Sequence, residues 1–395
     1  MSENLISRRL FAGALAWPPL AFSKAVPNFK LEVEARSGAT AAGIRFHKRF
    51  EILVGANGHF RTGSLAGVRG VYKQYVPDGQ WFRLAATVRG DAVEVRINDM
   101  PVVSYRSPDP IEPAAPTLHG HDAFRNLRVT PILEDCTTPP PSVDATSRLI
   151  ADAALRGIPA ADLHVHLKLG LTLEQAVAKS LHDGIQYGIA VNCGKGFPTE
   201  NDAAALAFID SLKGQPIFVA MQAEGREWVQ MFSRRVVEQF DYVFTDSMTW
   251  TDNHGRRMRT WIADEVGRIA DPQEFMDTLV DRAVGILETE RVNIYANPTF
   301  LPDQLSKDYE TLWTDARRKR VIAAAIKGGV AIEINNRYKL PSQSFIQMAK
   351  AAGAKFTFGT NNTGPNDLGR CEYGWQMVEA CKLDARDFWL PKTPR

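Results

Sequence analysis

From about residue 150 onward, seven short apolar runs alternate with segments of helical pattern. Strands that alternate with helices form a parallel sheet, and seven such units within residues 151–395 predict a closed, distorted, TIM-like α/β barrel of about seven strands. The apolar runs lie at 161–165, 186–191, 216–221, 241–245, 291–296, 329–334 and 355–359.

The predicted carboxyl ends of these strands carry metal-binding or amide side chains at nearly every position. Enzymes with this kind of barrel perform their chemistry where the strands end, so this recurrence is the main functional signal of the chain. The side chains are those of His164, His166, Asn192, Glu224, Asp246, Asn297, Glu333, Asn335, Asn361 and Asn362.

His164 and His166 stand two residues apart on the first predicted strand of the barrel. Residues i and i+2 of a strand point the same way, so both imidazoles face one end of the barrel, where neutral nitrogens suit zinc, manganese or iron. Glu224 is the expected carboxylate partner. We therefore expect one divalent transition metal on these three residues, with a barrel that binds no metal as the alternative.

Other polar residues near the strand ends are candidates for proton transfer and substrate binding. Asp246 or His254 could act as general base, since a metal-bound water needs a proton acceptor. An anionic substrate could be held by cations, and polar substrate groups by amides. The candidates for these contacts are Arg337, Lys195, Arg226, Asn297, Asn335 and Asn361.

The barrel region, roughly residues 160 to 385, resembles the polymerase and histidinol phosphatase (PHP) superfamily and, more distantly, the amidohydrolases. The resemblance rests on the His164-x-His166 opening, the Asn297-Pro298 pair and the segments 333–337 and 353–361. It implies a metal-dependent hydrolase, usually of phosphoesters, with up to three metals.

The chain departs from the family pattern at three places. Residues 192–194, 297–298 and 360–363 carry asparagine, threonine, cysteine, proline or glycine where the family has aspartate or histidine ligands. An uncharged amide binds transition metals poorly, so one metal is the most that this pattern supports. The barrel is then either a mononuclear enzyme or a binding protein on a scaffold that no longer turns over.

Residues 29–132 are predicted to form an all-β module, because polar and apolar residues alternate in short segments between turn signals. The segments 79–84, 97–103 and 119–127 make it similar to the 3-keto-disaccharide hydrolase domain. That family implies a concanavalin-like jelly roll that acts on or binds sugars. Its usual first strands are missing here, which favours binding. The polar candidates for sugar contacts are Glu51, His121, Arg125 and Asn126.

The segment before this module has the pattern of an export signal. Ser7-Arg8-Arg9-Leu10-Phe11 resembles the twin-arginine motif, an apolar stretch follows to Phe22, and small residues lie near Ala25. Residues 1–25 are therefore predicted to be a signal peptide that directs the protein to the periplasm. A proline-rich linker is predicted at 133–150, between the sandwich and the barrel.

The net charge of +2 gives no electrostatic basis for binding nucleic acid. No apolar run is long enough to predict a membrane span. The expected partner is a small-molecule or oligosaccharide substrate. The sequence thus predicts an exported metal-dependent hydrolase of a sugar derivative or phosphoester. Two alternatives remain: a carbohydrate-binding protein with an inactive barrel, or 3-keto-glycoside hydrolase or lyase chemistry in the sandwich.

Overall fold

The computed structural model describes residues 27–38, 41–109, 111–133, 145–251 and 256–392. The predicted signal peptide, most of the predicted linker and His254 lie outside these residues. The described ranges form an antiparallel sandwich and a parallel barrel.

The amino-terminal module is an antiparallel, jelly-roll-like sandwich of two sheets, ordered β6-β5-β4-β1-β8 and β3-β2-β7. Along β1, the residues Phe29, Leu31, Val33 and Ala35 are buried between the sheets while the alternate residues face outward. The strands are β1 (Phe29–Arg36), β2 (Ala42–Phe46), β3 (Phe50–Val54), β4 (Trp81–Arg89), β5 (Ala92–Ile97), β6 (Met100–Arg106), β7 (Thr117–His119) and β8 (Phe124–Pro131).

The carboxyl-terminal module is a closed barrel of seven parallel strands, which confirms the predicted architecture. Phe358 pairs with Asp162 and closes the ring. The barrel strands are β9 (Ala161–Val165), β10 (Gln186–Cys193), β11 (Phe218–Ala223), β12 (Tyr242–Thr245), β15 (Ile294–Tyr295), β16 (Ala331–Asn335) and β17 (Phe356–Gly359), with an antiparallel pair, β13 (Thr249–Thr251) and β14 (Arg257–Arg259), inserted after β12.

Helices connect the barrel strands, and two of them begin at a side-chain cap. Thr172 and Gln175 form a capping box, and the same helix ends at Gly184 with φ 74°. Asp271 caps the helix that begins at Pro272. The helices are α1 (Ala145–Leu155), α2 (Leu173–Asp183), α3 (Asp202–Ser211), α4 (Trp228–Met231), α5 (Arg234–Val237), α6 (Ala263–Val266), α7 (Pro272–Thr289), α8 (Asp303–Ser306), α9 (Tyr309–Leu312), α10 (Asp315–Gly328), α11 (Gln343–Ala351) and α12 (Glu372–Ala380).

Helix α1 begins at Ala145, inside the segment 133–150 that the sequence predicted as linker. Its residues Ile150, Ala153 and Ala154 are buried in the same core as the barrel strands. Burial of this apolar face stabilises the helix. The barrel module therefore begins at Ala145, earlier than the predicted residue 151.

The sandwich docks on the amino-terminal face of the barrel through the segment between β3 and β4. The backbone N–H of Ala160 donates a hydrogen bond of 2.9 Å to the Tyr72 hydroxyl, and Tyr72 is part of the barrel core. Gln186 accepts from the Tyr72 N–H at 2.7 Å, and Lys73 forms an ion pair of 2.6 Å with Asp241. These barrel residues all precede or begin strands, so the carboxyl ends open on the side away from the sandwich.

Candidate active site at the carboxyl ends of the barrel strands

The two predicted metal-binding imidazoles lie together at the end of β9. Their ring centroids are 5.2 Å apart, and both side chains are buried. His164 Nδ1 lies 2.6 Å from Oε1 of Glu333. Because an ionised carboxylate only accepts hydrogen bonds, Nδ1 donates to Glu333, and in the neutral form of the ring Nε2 holds the lone pair. That Nε2 atom is buried and has no hydrogen-bond partner among the described residues.

His166 is held in the same tautomer by a different group. Its Nδ1 lies 3.1 Å from the carbonyl oxygen of Ala190, so this nitrogen is the donor and Nε2 is unprotonated. Burial, followed by the charge of His164, lowers the pKa of His166 well below its usual value, so the ring is neutral at physiological pH. His166 therefore presents an unprotonated nitrogen, and His164 presents one in its neutral form.

Glu333 of β16 anchors this arrangement, although the sequence assigned it no role beyond its place at a strand end. Its Oε2 accepts hydrogen bonds from the Asn297 N–H at 2.7 Å and from the Asn335 amide at 3.0 Å. Burial raises its pKa, but the charge and hydrogen bonds of these neighbours, His164 foremost, bring it below the usual value. A Cβ at Gly359 would overlap Glu333 Oε1, so only glycine at that position lets the carboxylate reach His164.

Glu224 and Asp246 follow β11 and β12 and form a buried carboxyl pair. Glu224 accepts hydrogen bonds from the Asn192 amide at 2.7 Å and from the Thr249 hydroxyl at 3.1 Å. Burial and then the charge of Asp246 raise the pKa of Glu224 to about 8. Burial also raises the pKa of Asp246. The pair can therefore hold a proton at neutral pH.

The predicted amide residues bind one another. The side-chain oxygen of Asn297 accepts from Asn335 at 2.9 Å and from Asn361 at 3.0 Å, while its nitrogen donates to Asp246 at 2.9 Å. Asn297 and Asn361 have positive φ angles of 44° and 49°. The strand ends thus form one continuous polar network from β12 to β17.

The predicted cations differ in availability. Arg226 forms an ion pair of 2.5 Å with Glu290 and donates to the Thr245 hydroxyl at 2.9 Å, which ties it to the barrel wall. Lys195 and Arg337 are exposed. The guanidinium of Arg337 lies 5.3 Å from the ring centroid of Tyr338. Arg337 thus lies at the rim without an ion pair among the described residues.

The sandwich candidates do not form one site. Glu51 lies on β3, where it accepts a hydrogen bond from Arg45 at 2.9 Å and pairs with His119 at 2.6 Å. Arg125 lies on β8 of the other sheet, where it pairs with Glu34 and covers the Trp81 ring at 4.1 Å. Both side chains face outward from different sheets, so they lie on opposite sides of the module.

Trp81 of β4 carries a second cation on its ring. The guanidinium of Arg36 lies over the ring at 4.8 Å, in addition to that of Arg125 at 4.1 Å. Cation–π contacts from two strands thus cover this ring.

The two imidazoles are arranged as ligands for a metal ion. Among the described residues, however, no third strong ligand joins them. His164 Nε2 and Gln222 Oε1 are buried acceptors without a donor, and the side chain of Gln222 contacts the His166 ring. Such acceptors suit a cation. Within the described residues, however, no group of three His, Cys, Asp or Glu side chains is arranged around one ion. The predicted third ligand, Glu224, is bound to Asn192 and Thr249.

Fold and site together define a two-part protein, an antiparallel sandwich on the amino-terminal face of a parallel barrel with a polar network at the opposite end. Residues 18–130 match the family model of the 3-keto-alpha-glucoside-1,2-lyase-like domain. The barrel lies outside this match, and its resemblance to the PHP superfamily stays a prediction. No curated protein matches the chain significantly.

Three solved structures with partial likeness each cover less than a third of this chain. A protein from Parabacteroides distasonis, provisionally described as a glycosyl hydrolase, is 14% identical over 28% of this chain and 75% of its own, with a TM-score of 0.25. Sheep galectin-11 is 14% identical over 29% of this chain and 100% of its own, with a TM-score of 0.23. The Bacillus subtilis carbohydrate-binding module CBM66 is 17% identical over 27% of this chain and 77% of its own, with a TM-score of 0.22.

Within the ranges that the structure describes, no helix is both long enough and apolar enough to span a membrane.

Proposed function

We propose that this chain is a metal-dependent hydrolase of a sugar derivative or phosphoester, with its reaction at the carboxyl ends of the barrel strands. The observation that carries the proposal is the buried Nε2 of His164, which has no partner among the described residues while Nδ1 is held by Glu333. A carboxylate that fixes the far nitrogen of an imidazole is the usual support of a metal-binding histidine.

Each residue has a role that derives from its surroundings. His164 and His166 would hold one zinc, manganese or iron ion, with Glu224 as the predicted carboxylate ligand. Such an ion would supply Lewis-acid activation of water at this site. Asp246, held by the Asn297 amide at 2.9 Å, lies at the site as a proton acceptor. Arg337 and Lys195 are the predicted cations that stay exposed and open to a substrate.

The sugar part of the proposal is supported by the family match of residues 18–130. Because the sandwich docks on the amino-terminal face of the barrel, it would bind sugar at a place separate from the reaction. The twin-arginine motif at residues 7–11 favours export of the folded protein to the periplasm.

A second candidate, carbohydrate binding without turnover, is favoured by one observation. Asn297, Asn335 and Asn361 satisfy one another, and both oxygens of Glu224 already accept hydrogen bonds. Opening a hydrogen-bond network that is satisfied in this way, so that Glu224 could bind a metal ion, costs free energy. This cost favours a barrel that performs no metal-dependent hydrolysis.

Metal content tests the proposal. Elemental analysis of residues 26–395 should find about one transition metal per chain, as for other mononuclear sites. The metal should be lost in a His164→Ala, His166→Ala double variant and kept in His182→Ala, whose side chain is 82% exposed. A screen with aryl glycosides and sugar phosphates should then show hydrolysis that depends on the metal.

The outcomes separate the two candidates. If reconstituted wild-type protein binds no metal, the hydrolase proposal is wrong. If metal is bound at His164 and His166 but no substrate of either class is hydrolysed, carbohydrate binding without turnover becomes the better account.

A further inference from the structure

Lys168 is a cation at the barrel mouth that has no ion pair among the described residues. It follows His166 by two residues and is half-buried in the loop after β9. Its charge acts on the His166 ring at the end of β9. Within the part of the chain that the structure describes, no carboxylate oxygen lies within 4 Å of it.

The charge of Arg337, two residues beyond Asn335, acts on Lys168 as well. One carboxylate, Asp367, faces the ammonium, but its oxygens accept hydrogen bonds from the Thr363 N–H, the Thr363 hydroxyl and the Gly364 N–H. Two like charges therefore share a partly desolvated rim with one carboxylate that is already bound. Such an arrangement becomes favourable when an anion lies between the cations.

Two other cations near the site are neutralised. Arg226 pairs with Glu290 at 2.5 Å, and Arg259 pairs with Glu265. Lys168 and Arg337 have no such carboxylate partner among the described residues, and they lie on loops that flank the end of β17.

Aromatic side chains lie beside these cations. The rings of Phe300 and Tyr338 are 4.9 Å apart, and Arg337 covers the Tyr338 ring. Burial raises the pKa of the Tyr338 hydroxyl, Arg337 lowers it, and the charges of Asp246 and Glu333 raise it again. An aromatic pair next to polar groups suits the apolar face of a sugar ring.

We propose that Lys168 and Arg337 form a subsite for an anionic substituent, phosphate or carboxylate, on a sugar that contacts Tyr338 and Phe300. This subsite rests on the proposed function, because the bound sugar would be the substrate of the same mouth. Neither cation is a metal ligand, so the two bind the anionic substituent through charge and hydrogen bonds, independently of any metal.

Isothermal titration of the full chain tests the subsite with glucose 6-phosphate, glucuronate and glucose. At least one of the two acidic sugars should bind more tightly than glucose. Lys168→Gln and Arg337→Gln should each weaken that binding by about tenfold or more, since a hydrogen bond to a charged group is lost. Lys213→Gln, on the far face of the barrel where Lys213 pairs with Asp210, should bind as the wild type does.

If only glucose 6-phosphate binds more tightly than glucose, the subsite is specific for phosphate. If only glucuronate does so, the subsite is specific for carboxylate. The proposal is overturned if neither acid binds better than glucose, or if both variants bind the acids unchanged. Lys168→Arg keeps the charge and should restore binding, which excludes a folding defect. Metal content should be unchanged in Lys168→Gln. If the protein binds the acidic sugars but no metal, the hydrolase proposal is wrong and the subsite proposal stands. If it binds metal but neither acidic sugar more tightly than glucose, the subsite proposal is wrong and the hydrolase proposal stands.

Discussion

Gln186 is the residue through which the two modules are most directly joined, so its replacement is a sharp test of the architecture. Its side chain accepts from the N–H groups of Tyr72 at 2.7 Å and Lys73 at 3.2 Å, and donates to the Tyr75 hydroxyl at 2.5 Å. It also donates to the carbonyl of Pro216 at 3.4 Å. Methionine has a similar length and makes none of these bonds.

The expected cost depends on the groups that Gln186→Met leaves without a partner. Each buried polar group without a hydrogen bond costs about 1–3 kcal/mol, and the Tyr72 N–H and the Tyr75 hydroxyl are the two most enclosed. We therefore expect the free energy of unfolding to fall by about 3 kcal/mol or more. Because most of the lost bonds join the modules, the unfolding transitions of sandwich and barrel should also separate.

Equilibrium urea unfolding, followed by tryptophan fluorescence and far-ultraviolet circular dichroism, measures both effects. Gln230→Met is the matched control, since Gln230 is exposed on α4 and should change stability by less than about 0.5 kcal/mol. If Gln186→Met is no worse than this control, the docking of the sandwich on the barrel is refuted.

Three further predictions concern the site and the junction. Glu333→Gln should weaken metal binding by about 10- to 100-fold, measured by competition with a chelator, because it loosens the tautomer of His164. Gly359→Ala should have a similar effect without removing any polar group, since a Cβ there overlaps the Glu333 carboxylate; unchanged affinity would contradict this. His59 Nε2 donates to the Ala385 carbonyl at 2.7 Å, and burial lowers its pKa below the usual 6.5. The unfolded chain therefore takes up the proton first, so stability should decrease as pH falls below about 6.5 in urea titrations, and less so in His59→Gln.

The sequence predicted the barrel well because each buried parallel strand is itself a short apolar run. Six of the seven runs match their strands closely, whereas the run at 291–296 contains only the two-residue strand Ile294–Tyr295. The strand-end positions of His164, His166, Glu224 and Asp246 could be read from the same pattern, since a strand end is a local property of the chain.

The contacts between distant residues could not be predicted in this way. Glu333 and His164 are 169 positions apart, and nothing local tells which strand end meets which imidazole. The two cations on Trp81 likewise come from β1 and β8, at opposite ends of the module sequence. Pairing of this kind depends on the register of the sheet, which a single sequence does not specify.

The docking of the sandwich also decides how the site of chemistry can be assigned. Deleting the sandwich would remove Tyr72 from the barrel core and leave the Ala160 N–H without its acceptor, so a truncated barrel should lose stability and activity together. Point variants avoid this confusion. Glu51→Gln alters only contacts within the sandwich, those with His119 and Arg45, and the double replacement of His164 and His166 alters only the barrel.

We expect turnover of a sugar substrate to survive Glu51→Gln and to be lost in the double histidine variant, with both proteins folded by circular dichroism. The opposite result, loss in Glu51→Gln and retention in the double variant, would place the chemistry in the sandwich. Since Gly43 lies directly against the Glu51–His119 pair, Gly43→Ala should then reproduce the loss, because its Cβ would displace both side chains. The barrel mouth would in that case serve only to bind.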